Sequence, residues 1–196
     1  MERIGEWSLR EACRQLKTWQ GEFPRIRPLT VSVNFSIQHF AHGELARLIE
    51  SVLADSGIDA ASLKIEITES DMMQNPEAVT SVLKHIKAQQ IDACLDDFGT
   101  GYSSLSHLQQ LPIKFLKIDQ SFVRRLGADD DALAIVKTII GLAHQLGRQV
   151  IAEGVETAEH LAILRSLGCE YGQGYFFAKP LPCDEISSLL ASGRRW

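Results

Sequence analysis

Hydrophobic residues recur along the chain with two alternating spacings. Apolar positions three or four residues apart predict amphipathic helices, and short runs rich in β-branched residues predict strands. Seven helices are predicted, over 6–19, 43–54, 76–89, 103–110, 129–146, 158–167 and 184–191. Six strands are predicted, over 30–34, 63–68, 91–96, 115–118, 149–152 and 175–177. Because strands and helices alternate, the pattern predicts an α/β fold.

The helical connections favour a parallel sheet, since each is long enough to return the chain to the same edge. No glycine-rich dinucleotide fingerprint follows the first strand, so the pattern favours a TIM-type β/α barrel over a Rossmann fold. A complete barrel takes about 250 residues, whereas this chain has 196. We therefore expect a single domain over 1–196 whose six strands are fewer than the eight of a complete barrel.

Composition and charge narrow the range of functions. The chain is 45% hydrophobic and 23% charged, which is typical of a globular domain. The net charge of −5 comes from 25 acidic and 20 basic residues without a basic cluster, which argues against a nucleic-acid polymer as partner. The four cysteines are far apart, so neither a zinc knuckle nor a disulfide framework is predicted. Without a signal peptide or membrane-spanning pattern, we expect a cytoplasmic protein or the cytoplasmic part of a membrane-attached one.

Polar side chains stand at the ends of five successive predicted strands. They are Asn34, Glu66, Asp96 with Asp97, Lys117 with Asp119, and Glu153. A single such residue commonly marks the start of a solvated loop, but active sites of barrels are built at the carboxyl ends of strands. Glu66 and Lys117 have apolar neighbours on both sides, where an unpaired charge would cost several kcal/mol. A shared metal ion would offset that cost.

The ligand types at these strand ends predict one or two Mg²⁺ or Mn²⁺ ions. Amide and carboxylate oxygens, without histidine or cysteine, are the ligands that hard divalent cations prefer. His39 and His42 are three residues apart but lie outside the strand ends, and we do not expect them to be ligands. Asp96 and Asp97 are adjacent, and a turn of the chain at the strand end would let both carboxylates reach one site.

Six motifs occur in order along the chain and together resemble the EAL domain, the bacterial cyclic di-GMP phosphodiesterase family. The motifs are Val33-Asn-Phe-Ser36, Glu66-Ile-Thr-Glu69, Asp96-Asp-Phe-Gly-Thr-Gly-Tyr-Ser-Ser-Leu105, Leu116-Lys-Ile-Asp119, Ala152-Glu-Gly-Val-Glu-Thr157 and Gly172-Gln-Gly-Tyr-Phe176. The resemblance spans nearly all of the chain. It implies a modified β/α barrel that hydrolyses cyclic di-GMP to linear pGpG with Mg²⁺ or Mn²⁺.

The resemblance also implies a role for each matching residue. The implied metal ligands are Asn34, Glu66, Asp96, Asp97 and Glu153. Lys117 matches the lysine that holds the attacking water. The resemblance implies that Lys117, Asp96 and Glu153 are the catalytic residues. Gln173 and Asp119 are expected to bind substrate. Glu69 and Glu156 match glutamates that anchor the loop over 98–105.

One departure from the family pattern leaves the function open. The Glu-Ala-Leu motif does not occur in the sequence, so we expect the first two strands and one ligand to be missing. The open barrel edge this would leave predicts a homodimer or larger oligomer, or a piece of a longer protein with an upstream sensory or GGDEF-type domain. The alternatives are a catalytically impaired EAL-like module that binds cyclic di-GMP or a protein partner, and an unrelated barrel with a solvated acidic rim.

Overall fold

The structure, a computed structural model, describes residues 2–26, 29–36, 44–101 and 105–194. The strands of this part are β1 Val31–Asn34, β2 Leu63–Thr68, β3 Asp92–Phe98, β4 Phe115–Ile118, β5 Gln149–Ala152 and β6 Tyr171–Gly172. The helices are α1 Glu2–Glu22, α2 Glu44–Ser56, α3 Glu69–Gln74, α4 Pro76–Ala88, α5 Leu105–Gln110, α6 Gln120–Val123, α7 Asp130–Gln145, α8 Ala158–Ser166 and α9 Cys183–Ala191. A short 3₁₀ turn covers Ala60–Ser62.

The strands follow one another in the sheet in chain order, β1-β2-β3-β4-β5-β6. Every strand pair with a described register is parallel. Parallel neighbours joined by helices confirm the predicted α/β class. In a parallel sheet all carboxyl ends lie along the same edge, so residues that follow the strands become neighbours.

The chain divides into two compact units. The first comprises Met1–Ile67, Asn75–Ala93 and Leu181–Trp196, and its core includes the fully buried side chains of Leu9, Ile49, Leu63 and Leu83. The second comprises Thr68–Gln74 and Cys94–Pro180, with a core that includes Leu108, Leu116, Val136 and Val150. Burial of each such aliphatic side chain contributes about 1.5–3 kcal/mol. That 1–196 forms a single domain stays a prediction.

The sixth strand was predicted in the wrong place. It covers Tyr171–Gly172, whereas 175–177 forms a turn. The turn forms because the backbone doubles back on Val155: the Val155 N–H donates to the Gln173 carbonyl at 3.0 Å, and the Phe176 N–H donates to the Val155 carbonyl at 2.9 Å. Gly174 lies so close that a Cβ there would overlap the Val155 backbone. The apolar residues that follow Gly174 therefore gave a strand-like sequence pattern at a turn.

The other differences are at element boundaries and in short helices. β2, β4 and β5 have the predicted bounds, whereas β3 extends to Phe98, two residues beyond the predicted end. The prediction lacks α3 and α6, which span six and four residues and are too short for a helical period to show. The predicted helix starts at residues 43 and 103, like His39 and His42, lie outside the described residues.

The structure describes all four cysteines and joins none of them in a disulfide, and Cys13 and Cys94 are buried. In the part of the chain that the structure describes, no helix combines the length and apolarity needed to span a bilayer.

Candidate active site

An ion-paired lysine lies at the centre of the candidate site in the second unit. Lys117, on β4, places its Nζ 2.9 Å from Asp96 Oδ1 and 2.7 Å from Glu153 Oε1. β3 carries Asp96, and Glu153 directly follows β5. The Lys117 side chain is only 3% exposed. Two carboxylates at this distance supply the charge-assisted hydrogen bonds that a buried ammonium requires.

A β-bulge brings a third carboxylate into this cluster. The β3–β4 register passes from Leu95↔Leu116 to Phe98↔Ile118, so that two residues of β3, Asp96 and Asp97, lie opposite Lys117 alone. Asp97 has a φ of +54°, a left-handed conformation that aspartate and asparagine adopt more readily than most residues. Bulges redirect side chains in this way. A bulge within the strand, rather than the predicted turn at its end, thus lets two adjacent aspartates reach one place.

The three carboxylates form a compact oxygen cluster. Ligand atoms of Asp96, Asp97 and Glu153 all lie within 4.8 Å of one another. Burial raises the pKa of Asp97, and the nearby charges of Asp96 and Asp119 raise it further, as does a hydrogen bond with Asp119. Burial also raises the pKa of Glu153, against the opposing effect of Lys117. The crowding of negative charge disfavours ionisation, and a cation would relieve it.

The donor set fits a hard divalent cation. Three carboxylates and one ammonium leave the cluster with a formal charge of −2 when all groups are ionised. Its candidate ligand atoms are all oxygens, which Mg²⁺ and Mn²⁺ prefer, and they come from β3 and the end of β5, the two strands on either side of β4. A bound divalent ion would bring the formal charge of the cluster to zero.

Two further predicted ligands lie together in the first unit. Asn34, the last residue of β1, is in register with Glu66 on β2. The Phe35 N–H donates to the Glu66 carbonyl at 2.9 Å, which continues the pairing one residue beyond β1. Glu66 is buried, with 5% of its surface exposed, whereas Asn34 is exposed. The structure therefore brings an amide and a carboxylate to the same end of this strand pair.

Glu69 and Glu156, predicted to anchor the same loop, have different surroundings. Glu69 is buried, and its Oε2 accepts hydrogen bonds from the amides of Gly99 at 3.0 Å and Gly101 at 3.3 Å. Glu156 is exposed, and its Oε1 accepts from Arg124 Nε at 3.0 Å. The described contacts of Glu69 therefore suit the predicted role, whereas those of Glu156 are to a different segment.

A cavity of about 180 Å³ lies next to Glu153. It is lined by Gln120, Arg124, Glu153, Gly154, Glu156, Gln173, Gly174 and Tyr175. Gln173, a predicted substrate-binding residue, is therefore at the cavity. Asp119, the other one, caps α6 by accepting from the Ser121 N–H at 2.8 Å. Asp119 thus caps the start of α6, the helix that contains Gln120 and ends directly before Arg124.

Sequence reasoning did not single out Gln120, Arg124 or Tyr175. Gln120 directly follows the Lys-Ile-Asp motif, Arg124 lies one helical turn later, and Tyr175 belongs to the Gly-Gln-Gly-Tyr motif. The i, i+4 spacing of Gln120 and Arg124 was the available signal. Gly154 has a φ of +70°, and a Cβ there would lie 2.6 Å from Gln120 Cβ. A glycine is therefore required where the chain leaves Glu153.

Fold and site define a class: a parallel α/β protein whose strand ends carry a carboxylate cluster suited to a metal ion. The family model described as EAL domain matches residues 1–180. The chain belongs to the EAL domain family.

Curated relatives agree with this assignment. The oxygen sensor protein DosP of Escherichia coli (strain K12) is 40% identical over 192 residues, which are 98% of this chain and 24% of DosP. The cyclic di-GMP phosphodiesterase NbdA of Pseudomonas aeruginosa is 35% identical over 195 residues, 99% of this chain and 24% of NbdA. The chain thus spans about a quarter of the length of the curated relatives it matches.

Solved structures confirm the TIM-type α/β class expected from the resemblance. The PaMucR phosphodiesterase, in a complex with c-di-GMP, matches with a TM-score of 0.88 and 38% identity, covering 94% of this chain and 74% of that chain. The EAL domain of Mycobacterium smegmatis DcpA matches with a TM-score of 0.88 and 36% identity, covering 98% of this chain and 86% of that one.

Proposed function

We propose that this chain hydrolyses cyclic di-GMP to linear pGpG. The observation that carries the proposal is the cluster of Asp96, Asp97 and Glu153 around the buried ammonium of Lys117, in a chain that belongs to the EAL family. Relatives named cyclic di-GMP phosphodiesterases support the substrate, as does the c-di-GMP complex of a solved structure. The reaction adds water across one phosphodiester bond, breaking the bond from phosphorus to the ribose 3′ oxygen.

In this proposal Mg²⁺ or Mn²⁺ is held by Asp96, Asp97 and Glu153, with Asn34 and Glu66 as further ligands. A bound divalent ion lowers the pKa of water and neutralises charge on the phosphate. Lys117 donates hydrogen bonds rather than accepting a proton, because two carboxylates within 3 Å stabilise its ammonium form. It orients the attacking water toward phosphorus.

The nucleotide would extend from the carboxylate cluster into the cavity beside Glu153. Gln173 and Gln120 offer amide donors and acceptors there, and Arg124 offers the positive charge that suits an anionic ligand. Glu69 would keep the Gly99–Gly101 backbone in place next to Asp97.

The test is product analysis. The chain is incubated with cyclic di-GMP and Mg²⁺ or Mn²⁺, and products are separated by liquid chromatography, with Glu153→Gln as the inactive control. Formation of pGpG by the wild type alone supports the proposal. Complete retention of substrate by a folded, metal-loaded wild type contradicts it.

One second candidate, a module that binds cyclic di-GMP without hydrolysing it, is supported by the cavity beside Glu153, whose Arg124 and glutamine side chains could hold an anionic ligand without a metal ion. Calorimetry separates the two functions, because saturable binding without pGpG formation identifies the binding module.

We also propose that the chain self-associates and acts within a longer signalling protein. Ile4 and Trp7, three residues apart on α1, are 68% and 66% exposed, and large apolar side chains exposed together favour association. Light scattering tests this, since a monomer at tens of micromolar would contradict it.

A further inference from the structure

Arg148 is a buried arginine whose described hydrogen bonds go only to backbone carbonyls. It directly precedes β5 and is 6% exposed. Its Nη2 lies 2.5 Å from the Leu108 oxygen, 2.9 Å from the Leu111 oxygen and 3.4 Å from the Gln109 oxygen. Its Nη1 is buried without a hydrogen-bond partner among the described residues. Burying a charged side chain costs free energy that its hydrogen bonds must offset, so these bonds indicate that Arg148 stabilises the segment that it contacts.

Two of the three carbonyls, those of Leu108 and Gln109, belong to the C-terminal end of α5, and Leu111 directly follows the helix. α5 has little stability of its own. α5 has six residues, fewer than an isolated helix needs. Leu108 is its one buried residue, whereas Leu105 at its start is 62% exposed. The last carbonyls of a helix lack intrahelical donors and carry partial negative charge, so a guanidinium there supplies donors and favourable electrostatics. Arg148 and the buried side chain of Leu108 therefore both hold the C-terminal end of α5.

α5 is close in sequence to the segment bound to Glu69. Leu105 is the fourth residue after Gly101, so the start of α5 can lie at most about 15 Å from Gly101. At Gly101 there is little room for adjustment, because a Cβ on that residue would lie 2.8 Å from Glu69 Oε1. Both attachments, at Glu69 and at Arg148, lie in the second unit.

We infer that Arg148 is a positioning residue for the candidate site: by holding the C-terminal end of α5 it keeps the amides of Gly99 and Gly101 on Glu69, beside Asp97. Its influence on turnover rests on the proposed function. Its influence on the Gly99–Gly101 backbone does not.

The test is amide hydrogen exchange in the wild type, Arg148→Met and Arg148→Lys, read at Gly99, Gly101 and Leu111. Methionine removes the charge and keeps similar volume, whereas lysine keeps the charge without the planar fork. Arg125→Met is the matched control, because Arg125 is exposed and donates to the Ser121 carbonyl in the same unit. The Leu161 amide, which donates to the carbonyl of Thr157, the N-cap of α8, is the reference for exchange that does not involve α5.

In Arg148→Met we expect exchange at least about tenfold faster at all three reporter amides, since hydrogen bonds to a charged group are lost. Arg148→Lys should fall between it and the wild type, and Arg125→Met and the Leu161 amide should not change. Faster exchange at Leu111 with unchanged Gly99 and Gly101 would overturn the inference. If Arg148→Met lacks a cooperative thermal transition, Arg148→Lys decides at the same amides.

Activity provides a second, separate measurement. In Arg148→Met, kcat/KM for cyclic di-GMP should fall at least about tenfold while the Mg²⁺-induced rise in Tm persists, because Arg148 has no described contact with the carboxylate cluster. Loss of the Mg²⁺ effect would overturn the positioning role. A wild type that exchanges as expected but forms no pGpG would contradict the proposed function and leave the inference on Arg148 supported.

Discussion

Asp97→Asn should stabilise the metal-free protein and remove much of its response to Mg²⁺. Asp97 lies in a cluster with Asp96 and Glu153 and hydrogen-bonds Asp119. Two carboxyl groups can share a hydrogen bond only when one of them holds a proton, whereas the asparagine amide donates at every pH. Asparagine also tolerates the φ of +54° at this position. The substitution therefore removes repulsion without straining the backbone.

The expected gain is about 0.5–2 kcal/mol, the usual range for relieving a strained functional site. For a chain of this size, 1 kcal/mol corresponds to about 2–4 °C in Tm, so we expect a rise of about 1–8 °C in EDTA. In saturating Mg²⁺ the order should reverse or the gap should close. At a hundred times its Kd, a ligand adds about 2.7 kcal/mol to the wild type, and Asp97→Asn has lost one ligand.

The dependence on pH follows from the same group. The pKa of Asp97 is raised in the folded state from the ordinary aspartate value of about 3.9, so the folded protein binds more protons than the unfolded chain between those two values. Stability conferred by the protonated form is therefore lost as pH rises from about 3.9 through the folded pKa. In EDTA, the wild-type minus Asp97→Asn difference in Tm should become more negative across this window.

The assay is thermal unfolding of both proteins from pH 4 to 8, in EDTA and in Mg²⁺. Asp97→Ala is the control for backbone conformation, because alanine relieves the repulsion but disfavours the left-handed region. An Asp97→Asn protein that is less stable than the wild type in EDTA at pH 7 would refute the reasoning. An undiminished Mg²⁺ effect in that variant would show that Asp97 is not a ligand.

The remaining predictions concern roles within the site. Turnover of cyclic di-GMP should stop in EDTA and return with Mg²⁺ or Mn²⁺, while Ca²⁺ binds and supports little turnover because of its longer, looser coordination; hydrolysis in chelator would refute metal dependence. Lys117→Ala should lower turnover at least about a hundredfold and keep metal binding, whereas Glu153→Gln should weaken both; equal losses of Mg²⁺ affinity by calorimetry would contradict this separation. Gly101→Ala should lower the free energy of unfolding by about 1–3 kcal/mol, because the added Cβ overpacks against Glu69. Gly141→Ala on α7 should raise it by up to about 1 kcal/mol, because a Cβ there meets nothing within 4 Å. Similar denaturation midpoints for the two variants would refute the steric argument.

The parallel α/β class and the bounds of β2, β4 and β5 could be read from the sequence because buried strands there are flanked by helices of clear period. The cluster residues Asp96, Lys117 and Glu153 were also accessible, since each stands at or near the end of an apolar run. The position of β6 could not be predicted from the sequence, because two residues are too few to show a pattern and the nearby glycine turn carries more apolar side chains. Arg124 and Arg148 were equally hidden, since their roles depend on partners 32 and up to 40 residues away.

The bulge at Asp96 and Asp97 links the local strain of the site to its chemistry. A regular β3 would place the two carboxylates on opposite faces of the sheet, with one facing away from Lys117. The bulge instead places both residues opposite Lys117. The pKa of Asp97 is raised there, first by burial and then by the like charges of Asp96 and Asp119. A divalent cation would relieve the same repulsion, so we expect one feature both to destabilise the metal-free protein and to supply affinity for an ion. Asn at this position would remove the repulsion and with it one carboxylate, which is why Asp97→Asn separates the stability of the metal-free protein from its response to a metal ion.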